Sequence, residues 1–315
     1  MTLKDRLDKA RRNARRMPWI RYAMRNRTDE ASEWISMLAA TRYSKERANV
    51  PKAFRRAWKN PTRRILCGRG TVAPRKVLAL LFTVNGYWPV FDPSRPHEVS
   101  IGTLGSDKPT LNARYIGSEK TKVAAAWESV CGYALAVDPL TYEGPMVEKS
   151  EANATHDGRI LHGPIGPSDL VEGKVYQRLV DTEDDGEVVD LRTPIYQGRV
   201  PLVIRKRRAL NNRFEELRTA QSFELVEPDD AFTPDELRQL SEFASVMGLD
   251  YGELDVLRDR VSDRIYVVDA TPGPSGPPLS KLPEGVAPIV VSRLAKAFDD
   301  TIEQALRTVP DVNGL

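Results

Sequence analysis

Residues 254–270 read LDVLRDRVSDRIYVVDA, in which two apolar runs flank a polar turn. This pattern predicts a β-hairpin. If the turn takes the five residues 260–264, Asp255 lies directly opposite Asp269, and side-chain alternation puts Thr271 on the same face as Asp269. Like charges that face each other across a sheet destabilise it. We therefore expect a partner that compensates the two carboxylates.

Mg²⁺ is the partner that suits these three oxygen-bearing side chains. The ion takes hard oxygen ligands and is typically held by one or two carboxylates together with substrate phosphates. Asp255, Asp269 and Thr271 are the predicted metal ligands, and without a metal one of the two aspartates should have a raised pKa. The alternative is a surface hairpin whose acids face water, although both acids lie within runs of Leu, Val and Ile.

The composition of the 315-residue chain, with 41% hydrophobic and 29% charged residues, is that of an ordinary soluble globular protein. Its length suggests about two domains. Cys67 and Cys131 are far apart and the three histidines are scattered, so neither a disulfide framework nor a zinc site is predicted. The longest apolar run, VLALLF at 77–82, is too short to span a bilayer. Without a secretory signal, a cytoplasmic location is the default expectation.

Basic charge is concentrated in residues 1–64, which hold 19 Lys and Arg against 6 Asp and Glu. This surplus of +13, against a whole-chain net charge of +3, leaves −10 on the remaining residues. Apolar residues at three- and four-residue steps predict a basic helical segment. It either packs on the body of the protein or binds an anionic polymer or membrane surface through residues 1–60, at the inner face of the membrane. No nucleic-acid module accompanies the charge, so no specific nucleic acid is expected as a partner.

The remaining chain shows patterns of strands and helices. KVLALLFTVNG (76–86) and YALAVDP (133–139) predict strands, and TKVAAAWESVCG (121–132) predicts a helix, so residues 65–143 are interpreted as a small α/β domain. Residues 144–210 hold strand-like segments between Gly, Asp and Pro turns. A helix follows, with Thr233 as its cap, Glu236 completing a capping box and Gly248 at its end. Residues 144–315, which also contain a final amphipathic helix, are the third predicted segment.

Positive side chains precede the hairpin. Lys149 follows a strand and precedes a small polar loop that contains Gly158, an arrangement that suits a phosphate but also a surface lysine. Asp190 and Arg192 share one face of the strand VVDLRTPIY (188–196). In IRKRRA (204–209), alternation places Arg205 and Arg207 on one face. Arginine guanidinium groups match the oxygens of phosphate and carboxylate.

The order of these motifs resembles the ATP-grasp superfamily, in particular the branch of the ribosomal-protein glutamate ligase and glutathione synthetase. The order is a strand-end lysine with a small-residue loop, YQRLVD, DLR, a basic strand with NNRF, a helix, and an Asp–hairpin–Asp-x-Thr unit. The resemblance covers roughly residues 72–308 and leaves residues 1–64 outside. It implies an α+β fold, in which a small α/β pre-domain precedes two α+β subdomains that grip ATP between them.

The resemblance also implies roles for particular residues at the nucleotide end of the site. Lys149 would contact the nucleotide phosphates. A strand would lead into the hinge that holds adenine, formed by Tyr176, Gln177, Arg178 and Leu179. Asp181 or Glu183 would take the ribose hydroxyls.

At the reacting end, the resemblance matches Asp190 and Arg192 to an Asp-x-Arg element, in which Arg192 would contact phosphate or an acyl-phosphate intermediate. Further candidates that would face the same site are Arg205, Arg207 and Asn212. The magnesium carboxylates would be Asp255 and Asp269. This sequence departs from the family where Asp269 replaces a common Glu and Thr271 replaces a common Asn.

The activity that the resemblance implies is an ATP- and Mg²⁺-dependent carboxylate–amine ligase that forms ADP through an acyl phosphate. Its substrates would be small-molecule or glycan-linked carboxylates and amines. One alternative is an ATP-grasp phosphotransferase that acts on a hydroxyl of a glycan or small molecule. Another is a non-catalytic nucleotide-binding protein attached to an anionic surface by its N-terminal arm.

Overall fold

The computed structural model describes residues 61–68, 71, 77–102, 107–152, 155, 157–213, 222–273, 276 and 279–308. They form two compact units. Unit 1 takes the chain up to Leu111, Gly273–Ser280 and Ala287 onward, and unit 2 takes Asn112–Pro272 and Lys281–Val286. The basic helical segment predicted over residues 1–64 falls almost wholly outside the described residues and stays a prediction.

The strands of unit 1 are β1 (Arg63–Leu66), β2 (Tyr87–Val90), β3 (Val99–Ile101) and β4 (Thr110–Leu111). Those of unit 2 are β5 (Gly144–Ser150), β6 (Arg159–Gly163), β7 (Lys174–Arg178), β8 (Glu183–Asp184), β9 (Glu187–Tyr196), β10 (Val203–Ala209), β11 (Ser222–Val226), β12 (Tyr251–Arg258) and β13 (Ile265–Thr271). The α-helices are α1 (Val77–Asn85), α2 (Lys120–Cys131), α3 (Pro228–Ala231), α4 (Pro234–Met247) and α5 (Val286–Arg307).

Unit 1 contains a four-stranded parallel sheet in the order β2-β1-β3-β4. The C-terminal helix α5 packs its apolar face within this unit, where the ring of Phe298 lies 5.9 Å from Phe82 and 6.2 Å from Tyr87. The predicted apolar face of this helix is thereby confirmed at Leu294, Phe298 and Ile302, which are all buried.

Two predicted strands of the small α/β domain are wrong. VLALLF lies in α1, where the buried residues Val77, Leu78, Leu81 and Phe82 follow helical spacing. YALAVDP contains only an isolated bridge, between Ala136 and Gln177, among its described residues. A short apolar run does not distinguish a buried strand from a buried helix by its periodicity, and tertiary packing decided the outcome here.

Unit 2 is built on two sheets, which confirms the predicted α+β class. A six-stranded sheet has the order β11-β10-β9-β12-β13, with β8 paired to β9. A three-stranded antiparallel sheet has the order β6-β5-β7. The five predicted strand segments of residues 144–210 correspond to β5, β6, β7, β9 and β10.

Helices α2 and α4 cover one face of the larger sheet, and the ring of Trp127 on α2 lies 5.7 Å from Phe243 on α4. The predicted limits of α4 are confirmed. The Thr233 hydroxyl accepts from the backbone N–H of Glu236, whose carboxylate accepts from the backbone N–H of Thr233. Gly248 ends the helix at a φ of 69°, which a residue without a side chain adopts most easily.

The division into units differs from the predicted boundaries at 64/65 and 143/144. Residues 112–143, including α2, belong with the two sheets of unit 2, and the chain from Ala287 onward belongs to unit 1. Among the described residues, no helix combines the length and apolar character needed to cross a membrane.

Candidate functional site

The hairpin β12–β13 places Asp255 directly opposite Asp269, as the sequence predicts. The turn is longer than predicted, because the last pair is Arg258 with Ile265 rather than Asp259 with Ile265. A register shift between Asp255 and Val256 absorbs the difference and restores the predicted pairing at the two aspartates. Bulges of this kind re-aim side chains and are common beside functional sites.

Arg192 on the neighbouring strand β9 lies opposite Asp255 and is shared by two carboxylates. Its Nε atom is 3.2 Å from Oδ1 of Asp255 and 3.0 Å from Oε1 of Glu253. Glu253 is on the same face of β12 as Asp255, two residues earlier, and is 2% exposed. The acids of this face therefore have a partly buried cation between them.

The next strand, β10, adds two more cations on this face. Lys206 lies opposite Asp190, with its Nζ 2.8 Å from Oδ2 of that aspartate, and Arg208 also contacts the Asp190 carboxylate. Lys206, Arg208 and Asp190 are all buried. The sheet thus carries a continuous row of opposite charges from β10 to β13.

This register corrects the placement of Arg205 and Arg207. Both were expected at the site, but they lie on the opposite face of β10, where Arg205 pairs with Glu224 at 2.9 Å and Arg207 pairs with Asp184 at 2.7 Å. Because side chains alternate along a strand, either Arg205 and Arg207 or Lys206 and Arg208 had to face the site. The burial of Lys206 shows that it is the second pair.

A cavity of about 270 Å³ within unit 2 adjoins this charged row. Eight of the predicted site residues line it: Lys149, Gln177, Arg178, Leu179, Asp190, Arg192, Asp255 and Asp269. Residues that were not chosen as site residues also line it, among them Lys120, Lys206, Arg208 and Arg213. The cavity therefore joins the larger sheet to strands β5 and β7 of the smaller one.

One part of the cavity wall is strongly cationic. Lys149, at the end of β5, shares it with Lys120, whose Nζ donates to the carbonyl of Ala152 in the following loop at 2.9 Å. Burial and the nearby Lys120 lower the pKa of Lys149 to about 8, against the opposing effect of Asp269 and Asp255. Two lysines and three of the residues on the sheet face, Arg192, Lys206 and Arg208, converge where an anion would be stabilised.

Part of the cavity wall is apolar. It is formed by Leu135, Val147, Leu179, Val180, Leu257 and Val268. Gln177 is buried on β7, and Arg178 places its guanidinium 5.7 Å from the centre of the Tyr266 ring. Apolar side chains of this kind suit a flat heteroaromatic ring.

Some predicted nucleotide residues do not line the cavity. Asp181 lies 2.6 Å from Nε of Arg260, and Glu183 lies 3.8 Å from the same guanidinium, so both acids are paired with the hairpin turn. Thr182 between them does line the cavity. The side chain of Asn212 lies outside the described residues, although its backbone belongs to a 3-10 turn.

Charges around the aspartate pair shift their pKa values in opposite directions. Burial disfavours the charged form of Asp255, but Arg192, Lys206 and Arg208 together hold its pKa below the ordinary value. Burial and the charge of Asp255 raise the pKa of Asp269. This confirms the expectation that one of the two aspartates would have a raised pKa.

The carboxylates of Asp255 and Asp269 fit a metal ion whose remaining ligands come from a bound molecule. Asp255 lies in the cavity wall opposite Asp269, and its Oδ1 faces Arg192 at 3.2 Å without a hydrogen bond of good geometry to any described residue. The described residues contain no group of three His, Cys, Asp or Glu side chains that could hold a metal by themselves. Two carboxylates that need phosphate oxygens to complete the shell are the arrangement that Mg²⁺ accepts. Thr271 shares the face of Asp269 but does not line the cavity.

The residues missed by sequence reasoning carried weak signals. Lys206 and Arg208 alternate along the strand with Arg205 and Arg207, the two arginines that were predicted at the site. Lys120 begins the helix α2, and a long stretch of chain lies between it and Lys149. Glu253 could have been found, since it lies two residues before Asp255 and alternation puts both on one face.

No protein-family model matches the sequence, and a search of curated proteins finds no match. Solved structures do resemble this one. The ATP-grasp ligase PsnB complexed with minimal precursor is 13% identical with a TM-score of 0.48, over 76% of this chain and 99% of that chain. D-alanine–D-alanine ligase from Bacillus anthracis complexed with ATP is 13% identical with a TM-score of 0.46, over 78% and 99%. A RimK domain ATP-grasp protein from Sphaerobacter thermophilus is 12% identical with a TM-score of 0.43, over 76% and 99%.

Two of these proteins are described as ATP-grasp proteins, the superfamily that the motifs of this sequence resemble.

Proposed function

We propose that this protein is an ATP- and Mg²⁺-dependent carboxylate–amine ligase that forms ADP through an acyl phosphate. The observation that carries the proposal is one cavity whose wall combines apolar side chains with five cations and the Asp255–Asp269 pair. The apolar side chains suit the adenine ring, and the cations suit the phosphates. The two aspartates would hold Mg²⁺, which would neutralise charge on those phosphates.

The reaction needs an activated carboxylate because a carboxylate itself is a poor electrophile. Its oxygen takes the γ-phosphoryl group of ATP, the bond to the β-phosphate oxygen breaks, and ADP leaves. The nitrogen of the amine then attacks the carbonyl carbon, inorganic phosphate leaves, and the nitrogen loses a proton. Catalysis of phosphoryl transfer is mostly positioning and stabilisation of charge.

The side chains of this site supply both. Lys149 and Lys120 bind the phosphates at the end of β5, and Arg192 faces the transferred group from the sheet. Asp190 keeps Lys206 and Arg208 in place through two buried ion pairs. Asp255 and Asp269 would hold Mg²⁺, which neutralises negative charge on the phosphates when bound.

The test is ADP release from Mg·ATP in the presence of pooled carboxylates and amines, with mass spectrometry of the products. An amide, with one ADP and one phosphate per bond, supports the ligase. A phosphorylated hydroxyl and no amide would instead support a phosphotransferase. Nucleotide binding without turnover of any acceptor would favour a non-catalytic protein.

The role of the aspartates is tested separately by thermal shift with Mg·ADP. A ligand at 100 times its dissociation constant stabilises the folded state by about 2.7 kcal/mol. We expect that stabilisation in the unmodified protein and its loss in Asp255→Asn and Asp269→Asn. Asp229→Asn, on the exposed helix α3, is the matched control and should keep it. An equal shift in all four proteins would contradict a metal-dependent site.

A further inference from the structure

Glu253 is a buried acid at the site that the proposed chemistry does not use. It is 2% exposed, and neither carboxylate oxygen has a hydrogen-bond partner among the residues that the structure describes. Unlike Asp255, it is not part of the cavity wall. A buried carboxylate without hydrogen bonds is costly, so its ion pair has to be accounted for.

That ion pair is with Arg192, at 3.0 Å. Directly across from Glu253 on β9 is Pro194, whose side chain has no polar group. Arg192, two residues away on the same face of β9, is therefore the cation of that strand that reaches Glu253. Long side chains make such diagonal contacts across antiparallel strands.

Arg192 also lies 3.2 Å from Asp255, so one guanidinium serves two acids. The Nε atom of Arg192 has no hydrogen bond of good geometry to any described residue, so it is close to both acids without being fixed to either through this atom. An arginine in this position can shift between two neighbouring acids while remaining paired.

We propose that Glu253 is a positioning residue that retains Arg192 when Asp255 binds the divalent cation. The inference rests on the proposed function, because it requires a metal at Asp255 and Asp269. A cation bound to Asp255 repels the nearby guanidinium. Glu253 gives that guanidinium a second acid on the same strand face, which leaves Asp255 to the metal and keeps Arg192 at the cavity wall.

The experiment measures metal affinity rather than turnover. Mn²⁺ is titrated into the full-length protein with ADP bound, and free Mn²⁺ is followed by electron paramagnetic resonance. Without Glu253, Arg192 competes fully for Asp255. Glu253→Gln should therefore raise the Mn²⁺ dissociation constant about tenfold, the effect of a single charge-assisted contact. Glu224→Gln, on the opposite face of the same sheet, is the matched control and should leave the constant unchanged.

A double-mutant cycle separates positioning from a direct effect of the Glu253 charge on the metal. In an Arg192→Gln background, Glu253→Gln should change the Mn²⁺ dissociation constant by less than about twofold, because the guanidinium it positions is gone. Arg192→Met provides a second background if the first variant does not fold, as judged by circular dichroism. It should reduce the effect in the same way, since its side chain carries no positive charge to compete for Asp255.

Three results would overturn the inference. One is an unchanged dissociation constant in Glu253→Gln. Another is a tenfold loss that persists without Arg192, which would mean that Glu253 acts on the metal directly. If the unmodified protein with ADP binds no Mn²⁺ at all, the proposed function fails and this inference fails with it.

Discussion

The affinity of the protein for ADP should fall as the pH rises through the range in which Lys149 titrates. Burial and Lys120 lower the pKa of this ammonium to about 8. From that value, about nine tenths of the side chains are charged at pH 7 and about one tenth at pH 9. If the charged form binds the phosphates, the dissociation constant should rise about tenfold between these two pH values.

The measurement is isothermal titration calorimetry with ADP at pH 7, 8 and 9, with EDTA present so that no divalent cation contributes to the binding. Phosphate oxygens favour the ammonium, so binding should also take up a proton above pH 8. Buffers with different ionisation enthalpies reveal that proton. Lys149→Arg is the control, because arginine stays charged throughout this range and should remove the pH dependence.

A pH-independent affinity in the unmodified protein would refute the reasoning, and so would the same pH dependence in Lys149→Arg. The sign of the effect on folding provides an independent check. The folded-state pKa lies below that of an unfolded lysine, so the unfolded chain binds more protons between the two values. The free-energy cost of burying charged Lys149 is therefore largest below pH 8. It decreases as the pH rises above 8 and is lost above the pKa of the unfolded lysine. Lys149→Met should remove this pH dependence of stability.

Other substitutions separate the faces and charges of the sheet. Lys206→Met should weaken Mg·ADP binding about tenfold or more, measured by calorimetry on variants confirmed to be folded, whereas Arg207→Met should leave it within about twofold because that side chain faces away from the cavity. In EDTA at pH 7, Asp269→Asn should raise the melting temperature, because the raised pKa of Asp269 means that its charge opposes folding above that pKa. Asp255→Asn should lower the melting temperature, because the lowered pKa of Asp255 means that its charge favours folding. The opposite order of the two melting temperatures would contradict this account. Thr233→Ala should cost about 1 kcal/mol of unfolding free energy in urea because α4 loses its cap, and Thr233→Ser should not.

Local patterns predicted several features that the structure confirms. The helix α4 begins and ends where Thr233 and Gly248 place it, because caps act through hydrogen bonds and backbone angles of adjacent residues. The pairing of Asp255 with Asp269 also follows from local features, namely two-residue alternation and a short turn. One extra residue in the turn was offset by one register shift, so the predicted pairing held despite a wrong turn length.

Features that depend on burial could not be predicted from local sequence patterns. The apolar run of α1 suits a strand as well as a helix until its neighbours are known. Lys120 and Lys149 are far apart in the sequence, and the fold brings both side chains to the wall of one cavity. Asp181 has the residue type of a ribose ligand, but the hairpin turn supplies Arg260 as its partner.

The sequence by itself determined which side chains share a face of each strand, since alternation is a property of the extended backbone. It therefore placed Asp190 with Arg192, and Asp255 with Asp269. Only the tertiary structure decided which face of the basic strand is turned inward. Lys206 is buried on that face, whereas Arg205 and Arg207 lie on the opposite face. The physical reason is that a buried cation needs a buried acid opposite it. Asp190 meets that need for Lys206 through a pairing between strands that no single segment of sequence contains.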